Sequence, residues 1–418
     1  MAKKKNMKRK TQISIAVIMS LIAIAAVWTV MFINRQTNII AFHNLSERDE
    51  AEIRKILQES LDGKKNKYEF ITFDGDELLS SQMNFIKKPA LLITSSGTSE
   101  LFAAEKAEDG GIITADILDG MTSSMRESTV FGGESWKSVV SVPMLVNFFG
   151  IEIDYTDFRN SGMEKIETWE DIVEFARRQK ARGTEYPVAF AGKDPSTVLD
   201  LMGALTEALS RNGTADYEKA KSLLRVRSEE KFNAARIAQK LCDADDAPFY
   251  DAVKFLKSLK NDNLIPPNVF SLTKNDINAF IQARIVKVAF MSLDDHRATN
   301  QKSIARFSTI YFPSRTSPAD RRFTANVIKA IPMANRSDVK EIISALVSTE
   351  TQEKMSRQTG LAPVLARCRT PDKQASETRR WVAATNAPLP GLSKDCALTN
   401  AEQKQVVEEI AAKILYEK

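Results

Sequence analysis

The chain has only two histidines, and each follows an apolar run of strand length. His43 and Asn44 come after Ile39-Ile40-Ala41-Phe42, and Asp294-Asp295-His296 come just past the run from Ile285 to Met291. A third polar cluster, Ser95-Ser96-Gly97-Thr98-Ser99, follows Pro89-Ala90-Leu91-Leu92-Ile93-Thr94. Open α/β sheets bind ligands beyond the carboxyl ends of their strands. This placement predicts a cleft lined by His43, Asn44, Ser95, Ser96, Asp294, Asp295 and His296. The alternative for the histidines is a place in ordinary surface loops. Hydroxyls, backbone N–H groups, carboxylates and imidazoles in one cleft would hold a small polar solute by hydrogen bonds. Other chemistries fit the residues less well. There is no Gly-x-Ser-x-Gly elbow for a Ser-His-Asp hydrolase. There is no Gly-x-x-x-x-Gly-Lys loop, so the chain is not an ATPase. Two adjacent acids and a neighbouring His cannot converge on one metal ion without a bent backbone. The expectation is a binding protein, not an enzyme, with no metal and no cofactor.

The elements that position these loops are legible in part. Ser46 caps a helix whose Ile53, Ile56 and Leu57 face inward. Tyr68 to Phe73 reads as a second strand, and Pro89 to Thr94 as a third. The β-α-β order of short apolar strands predicts a parallel sheet with helices on both faces. Thr168 is an N-cap with Asp171 at N3, a near capping box. Trp169, Ile172, Val173 and Ala176 follow at helical spacing, which makes Trp169 a core anchor. Gly183 stops that helix, and Tyr186 to Ala191 reads as a buried parallel strand. Residues 199–260 read as helical almost throughout. Thr273 caps the next helix, and Ser337 caps one from Asp338 to Val347. Trp136 and Trp381 are each either a stacking face for a ligand or a core anchor.

At 418 residues the length prior is two domains. Lys3, Lys4, Lys5, Lys8, Arg9, Lys10 and Arg35 fall in the first 46 residues without any Asp or Glu, so the rest of the chain is close to neutral despite the net +5. No basic stripe with interleaved aromatics follows, which argues against nucleic-acid binding. The basic segment 1–12 precedes an uncharged run from Ile13 to Ile33. About 20 apolar residues span a bilayer, whereas a cleavable signal core is about 7–15. Residues 13–33 therefore read as an uncleaved transmembrane signal anchor in preference to the alternative, a signal cleaved after Ala23-Ile24-Ala25. The lysines stay cytoplasmic, and the globular part lies in the periplasm or outside the cell. Three cysteines leave one odd: Cys368 and Cys396 could pair in an oxidising envelope, or Cys242, Cys368 and Cys396 could be isolated thiols.

Three stretches carry a family resemblance. Ser141-Val142-Pro143-Met144-Leu145-Val146-Asn147-Phe148-Phe149-Gly150 leads to Glu167-Thr168-Trp169-Glu170-Asp171-Ile172 and then to Tyr186-Pro187-Val188-Ala189-Phe190-Ala191-Gly192. Thr349 to Met355 leads to Thr359-Gly360-Leu361-Ala362-Pro363-Val364, and Phe280 runs to Met291. Together they resemble the extracellular solute-binding proteins of sugar-type ABC importers, the family of maltose-binding protein. The resemblance implies a two-lobed α/β fold with discontinuous lobes. Lobe one would be residues 38–142 plus 312–347, and lobe two 143–311 plus 348–418. The hinge would include Val142, Pro143, Tyr311, Phe312 and Pro313. It further implies a small polar, sugar-like solute captured by hinge closure, with an ABC permease of the inner membrane as partner. Two departures stand out. Asp294, Asp295 and His296 occupy the place of the family's ligand-loop tryptophan, and no cysteine precedes Cys242 to carry a lipid. Both leave room for an alternative, an envelope sensor or scaffold built on the same fold without import.

Overall fold

The computed structural model describes residues 39–416 apart from 64–66, 84–87, 109–110, 133–137, 226–231, 314–321 and 384–385, together with Ser20. The apolar run 13–33 lies outside the described residues, Ser20 excepted. Among the described residues no helix is long and apolar enough to cross a membrane.

Eleven strands are described: β1 (Ile39–His43), β2 (Glu69–Thr72), β3 (Leu91–Ser95), β4 (Phe131–Gly132), β5 (Ser138–Val139), β6 (Val142–Asp154), β7 (Val188–Phe190), β8 (Val288–Ser292), β9 (Phe307–Ile310), β10 (Ala325–Pro332) and β11 (Ala362–Pro363). Apart from the small β4–β5 hairpin they form one hydrogen-bonded path, β2-β1-β3-β10-β6-β8-β7, with β9 and β11 also paired to β6. The expected parallel pairing holds for β1 with β2 and β3, and for β7 with β8. Pairs involving β6 or β10 are antiparallel, so the sheet is mixed rather than parallel.

The long strand β6 explains the two-lobed shape. Val142 to Phe148 pair with β10, and Phe149 to Asp154 pair with β8 and β9. The change of partner at Phe148/Phe149 marks the first passage between two separate cores. One core gathers Ile40, Ile93, Leu145, Val327 and Ile343, extended on the other sheet face by Ala41, Leu92 and Ile331. The second gathers Ile151, Phe190, Leu205, Phe290 and Val406. Val142 and Pro143 are paired with β10 inside the first half, upstream of that passage. Pro143 sits where the β10 register shifts at Ile328/Lys329. A proline has no N–H for the ladder, which suits it to an irregular position.

The second passage falls at Tyr311 and Phe312. Tyr311 packs on Phe323 and Trp381 in the first half, whereas Phe312 packs on Phe149, Trp169 and Phe290 in the second. Pro313 beside them is buried. A third passage lies after residue 382. Met355, Leu361, Leu365, Ala375 and Val382 join the first core, and Leu389, Leu392 and Val406 join the second. The sequence reading places 348–418 wholly in lobe two; the cores instead put 349–382 with lobe one, because the Thr349–Thr359 helix packs against the Glu47–Leu61 helix.

Local signals explain much of the helical frame. Ser46 caps Asp49, and Thr168 and Thr273 form full capping boxes with Asp171 and Asp276. Gly183 takes φ 98° after the Trp169–Ala181 helix, as a helix stop requires. Ser337 is the first helical residue rather than the cap; Arg336 occupies that place. The Pro195–Leu209 helix is buried from Thr197 to Leu209 and forms the centre of the second core, with Asp194 as cap and proline at its first position. All three cysteines are buried thiols outside any disulfide. Cys368 lies in the first core and Cys396 in the second, so they do not pair.

Candidate functional site

The floor of the cleft is a pair of asparagines. β6 is buried at every position except Asn147, and β10 at every position except Asn326. The two are direct partners across the strands, just before β6 passes to the second half. Above them lies a cavity of about 200 Å³. Its walls come from strand ends in both halves.

The first half contributes the loop after β1 and the end of β3. Asn44 takes φ 62°, a left-handed conformation that asparagine tolerates, and turns the chain into the Glu47–Leu61 helix. Asn44, Ser46, Asp49 and Ser95 line the cavity. Asp49 is only 2% exposed, and its Oδ1 accepts no hydrogen bond. Burial, then the nearby Asp294 carboxylate, push its pKa up to about 7. Ser95 Oγ is also buried without a partner.

The second half contributes Asp194 after β7, Ser292, Asp294 and Asp295 after β8, and Lys274 at the start of the Lys274–Gln282 helix. Asp294 N donates to Asn147 Oδ1 at 3.1 Å. Arg48 Nη1 stands 3.8 Å from Asp294 Oδ1 across the halves. Burial and then Asp295 raise the pKa of Asp294. Lys274 Nζ lies 2.9 Å from Asp295 and 3.4 Å from Asp194. Burial works against its charge, but these two carboxylates more than reverse the effect and raise its pKa.

The back of the cleft is closed by the segment that carries the third passage. Ser393 N donates to Asp200 Oδ1 at 2.9 Å, and Asn326 Nδ2 to Asp200 Oδ2 at 3.2 Å. Gly391 N donates to Asn326 Oδ1 at 2.8 Å, and Lys394 Nζ to Asn44 Oδ1 at 2.5 Å. Two glycines let this segment through. A Cβ on Gly391 would meet the Asp200 carboxylate at 2.3 Å, and one on Gly97, at φ 115°, would meet Lys394 O at 2.4 Å. Gly391→Ala should therefore destabilise the protein by about 1–3 kcal/mol, the usual range for overpacking. Gly75→Ala, with open space around it, serves as the neutral control. Thermal unfolding of both variants decides it; equal midpoints would mean that the segment shifts freely.

Of the residues expected from sequence, Asn44, Ser95, Asp294 and Asp295 line this cavity together. His43 lies one residue away in a smaller adjoining cavity of about 40 Å³, with its Nε2 3.3 Å from Glu77 O. Burial lowers its pKa to about 4. Ser96 turns away and accepts from Val327 N at 3.0 Å. His296 also turns away: its Nδ1 is 3.0 Å from Glu152 Oε1 in the interior. Burial alone would lower its pKa, but that carboxylate raises it. Trp381 packs on Phe148 in the first core, and Trp136 lies outside the described residues. Asp49, Asn147, Asp194, Asp200, Lys274, Asn326 and Lys394 are the cleft residues the sequence reading passes over.

The arrangement can hold a polar solute by hydrogen bonds and charge. Phe149 is the one aromatic residue among the described lining residues, and it is 3% exposed. No described group of three or more His, Cys, Asp or Glu is placed to hold a metal ion. Solved structures match over nearly the whole chain. The bacterial solute receptor AcbH, described with a preference for β-D-galactopyranose, has a TM-score of 0.64 at 14% identity, covering 91% of this chain and 100% of its own. RafE from Streptococcus pneumoniae, in its apo form, has a TM-score of 0.62 at 16% identity, covering 91% and 98%. Maltose-bound MalE3 of T. maritima has a TM-score of 0.55 at 14% identity, covering 90% and 99%.

The chain has the fold of the sugar-type solute-binding proteins. At these identities the likeness is one of fold. No family model and no curated relative matches the sequence. In this solute-binding fold the asparagine floor and its carboxylate walls lie between the two lobes, with groups from each lobe facing the same space.

Proposed function

We propose that this protein is an extracytoplasmic solute-binding protein that captures a small polar, sugar-like solute between its lobes and presents it to an ABC permease. The observation that carries the reading is the cleft itself, in which Asp49 and Ser95 of one lobe face Asp294 and Asp295 of the other. A solute touching both sets stabilises the closed form by its differential contacts, so binding shifts the open–closed balance. The hinge lies in β6 near Phe148 and Phe149 and around Tyr311 to Pro313. The named ligands of similar folds, raffinose for RafE and maltose for MalE3, support a sugar-like class. The tether and its inner-membrane place rest on the sequence of residues 13–33.

The test is to release and identify the small molecule that co-purifies with the protein, then titrate it calorimetrically into wild type and Asp294→Ala. Loss of a hydrogen bond to a charged group costs about 1.5–3 kcal/mol, so affinity should fall about ten- to a hundredfold. Equal affinity in the two proteins would place the site elsewhere.

A further inference from the structure

We infer that the cleft selects a solute bearing a protonated amine, such as an amino sugar or an aliphatic polyamine, over its neutral counterpart. This deepens the solute-binding reading and rests on it.

The charge inventory of the walls is lopsided. Five aspartates line the cavity, Asp49, Asp194, Asp200, Asp294 and Asp295, against the ammonium groups of Lys274 and Lys394. Those two cations are already engaged. Lys274 bridges Asp295 and Asp194. Lys394 donates to Asn44 and is the cation nearest in effect to Asp200, whose oxygens also accept from Ser393 N and Asn326 Nδ2. What remains is Asp49 facing Asp294. The cations that act on Asp294 are Arg48, at 3.8 Å and a third exposed, and more weakly Lys274, which Asp295 and Asp194 already hold.

The unpartnered atoms point the same way. Asp49 Oδ1, Asp294 Oδ1 and Ser95 Oγ are buried, accept no hydrogen bond and belong to residues that line the cavity. Asp49 and Ser95 are 2% and 3% exposed. Two are carboxylate oxygens, which accept when ionised, and the third is a hydroxyl that can accept or donate. An ammonium group brings three donors, no acceptor and one positive charge, whereas a neutral hydroxyl brings one donor and no charge. Buried carboxylates with too little counter-charge are strained by mutual repulsion and lost hydration, and an incoming cation relieves both. The raised pKa values of Asp49 and Asp294 express that strain. The feature a neutral pyranose would use, an exposed aromatic face, is not offered by the buried Phe149.

The experiment is calorimetric titration of the full chain above neutral pH with matched pairs, D-glucosamine against D-glucose and D-galactosamine against D-galactose, and with putrescine and spermidine. At least one amine should bind tenfold or more tighter than any neutral partner. Asp49→Asn and Asp294→Asn should each remove most of that preference while thermal unfolding shows the variants folded. If a neutral sugar binds as tightly as its amine and Asp294→Asn weakens it, the inference fails and the solute-binding cleft stands. If no amine binds at millimolar concentration, the inference fails. If amines bind but neither variant changes their affinity, the cleft reading fails with it. Calcium chloride alone binding with the same dependence on Asp49 and Asp294 would also overturn the amine assignment.

Discussion

Lys329→Met should lower the stability of the protein by about 3–5 kcal/mol, the usual cost of stranding one partner of a buried ion pair. Lys329 Nζ lies 2.6 Å from Glu100 Oε1, and the two residues are 2% and 3% exposed. Lys329 also donates to Ser128 O, and Ser141 Oγ donates to the same Glu100 oxygen. The cluster joins β10, the Thr98–Lys106 helix and the residue before β6, beside the end of β3, where Lys329 pairs with Thr94, the neighbour of Ser95. Removing the ammonium leaves a carboxylate buried with one hydroxyl. The double variant Lys329→Met/Glu100→Leu should recover most of the loss, since an apolar pair of similar size is often neutral relative to a buried ion pair. Urea unfolding of the three proteins measures both effects. A single variant within about 1 kcal/mol of wild type would show that water reaches Glu100, contrary to its burial.

The parts of this fold that were legible in the sequence are those set by neighbours along the chain. Capping by Ser46, Thr168 and Thr273 depends on a side chain and a backbone N–H three residues on, so spacing reveals it. The strand-end rule found Asn44, Ser95, Asp294 and Asp295 for the same reason. Applied after β7 it would also have found Asp194, which caps the next helix with its side chain. His296 is misplaced because the segment from Leu293 is helical: about 100° of rotation per residue turns it from the cleft toward Glu152. Asn147 and Asn326 carried a signal as lone amides in apolar strands, but their facing register is a long-range fact. Lys394 and Asp200 had no local signal at all. Their partners, Asn44 for Lys394 and Ser393 N for Asp200, are far apart from them in sequence and depend on how the last segment crosses back.

Asp49→Asn should stabilise the empty protein at pH 8 by up to roughly 4 kcal/mol and leave it nearly unchanged near pH 4. The carboxyl is raised from 3.8 to about 7, first by burial and next by Asp294. A tenfold change in proton affinity is worth about 1.4 kcal/mol, which sets the upper figure. The sign follows from proton counting. Between the unfolded pKa and about 7 the folded protein keeps this proton and the unfolded chain does not. Stability from this group is therefore full below about pH 4, falls as pH rises through that window, and levels off above pH 7. Asparagine cannot ionise, so the variant lacks the fall. Asp294 is raised too, and the two carboxyls titrate as a pair. Removing Asp49 should also let Asp294 ionise at lower pH, which flattens the variant's curve further. The measurement is the difference in urea midpoint between variant and wild type across about pH 4 to 8. A difference that does not change with pH would mean that Asp49 is hydrated in the empty cleft, and that its carboxylate is not held in wait for a counter-charge.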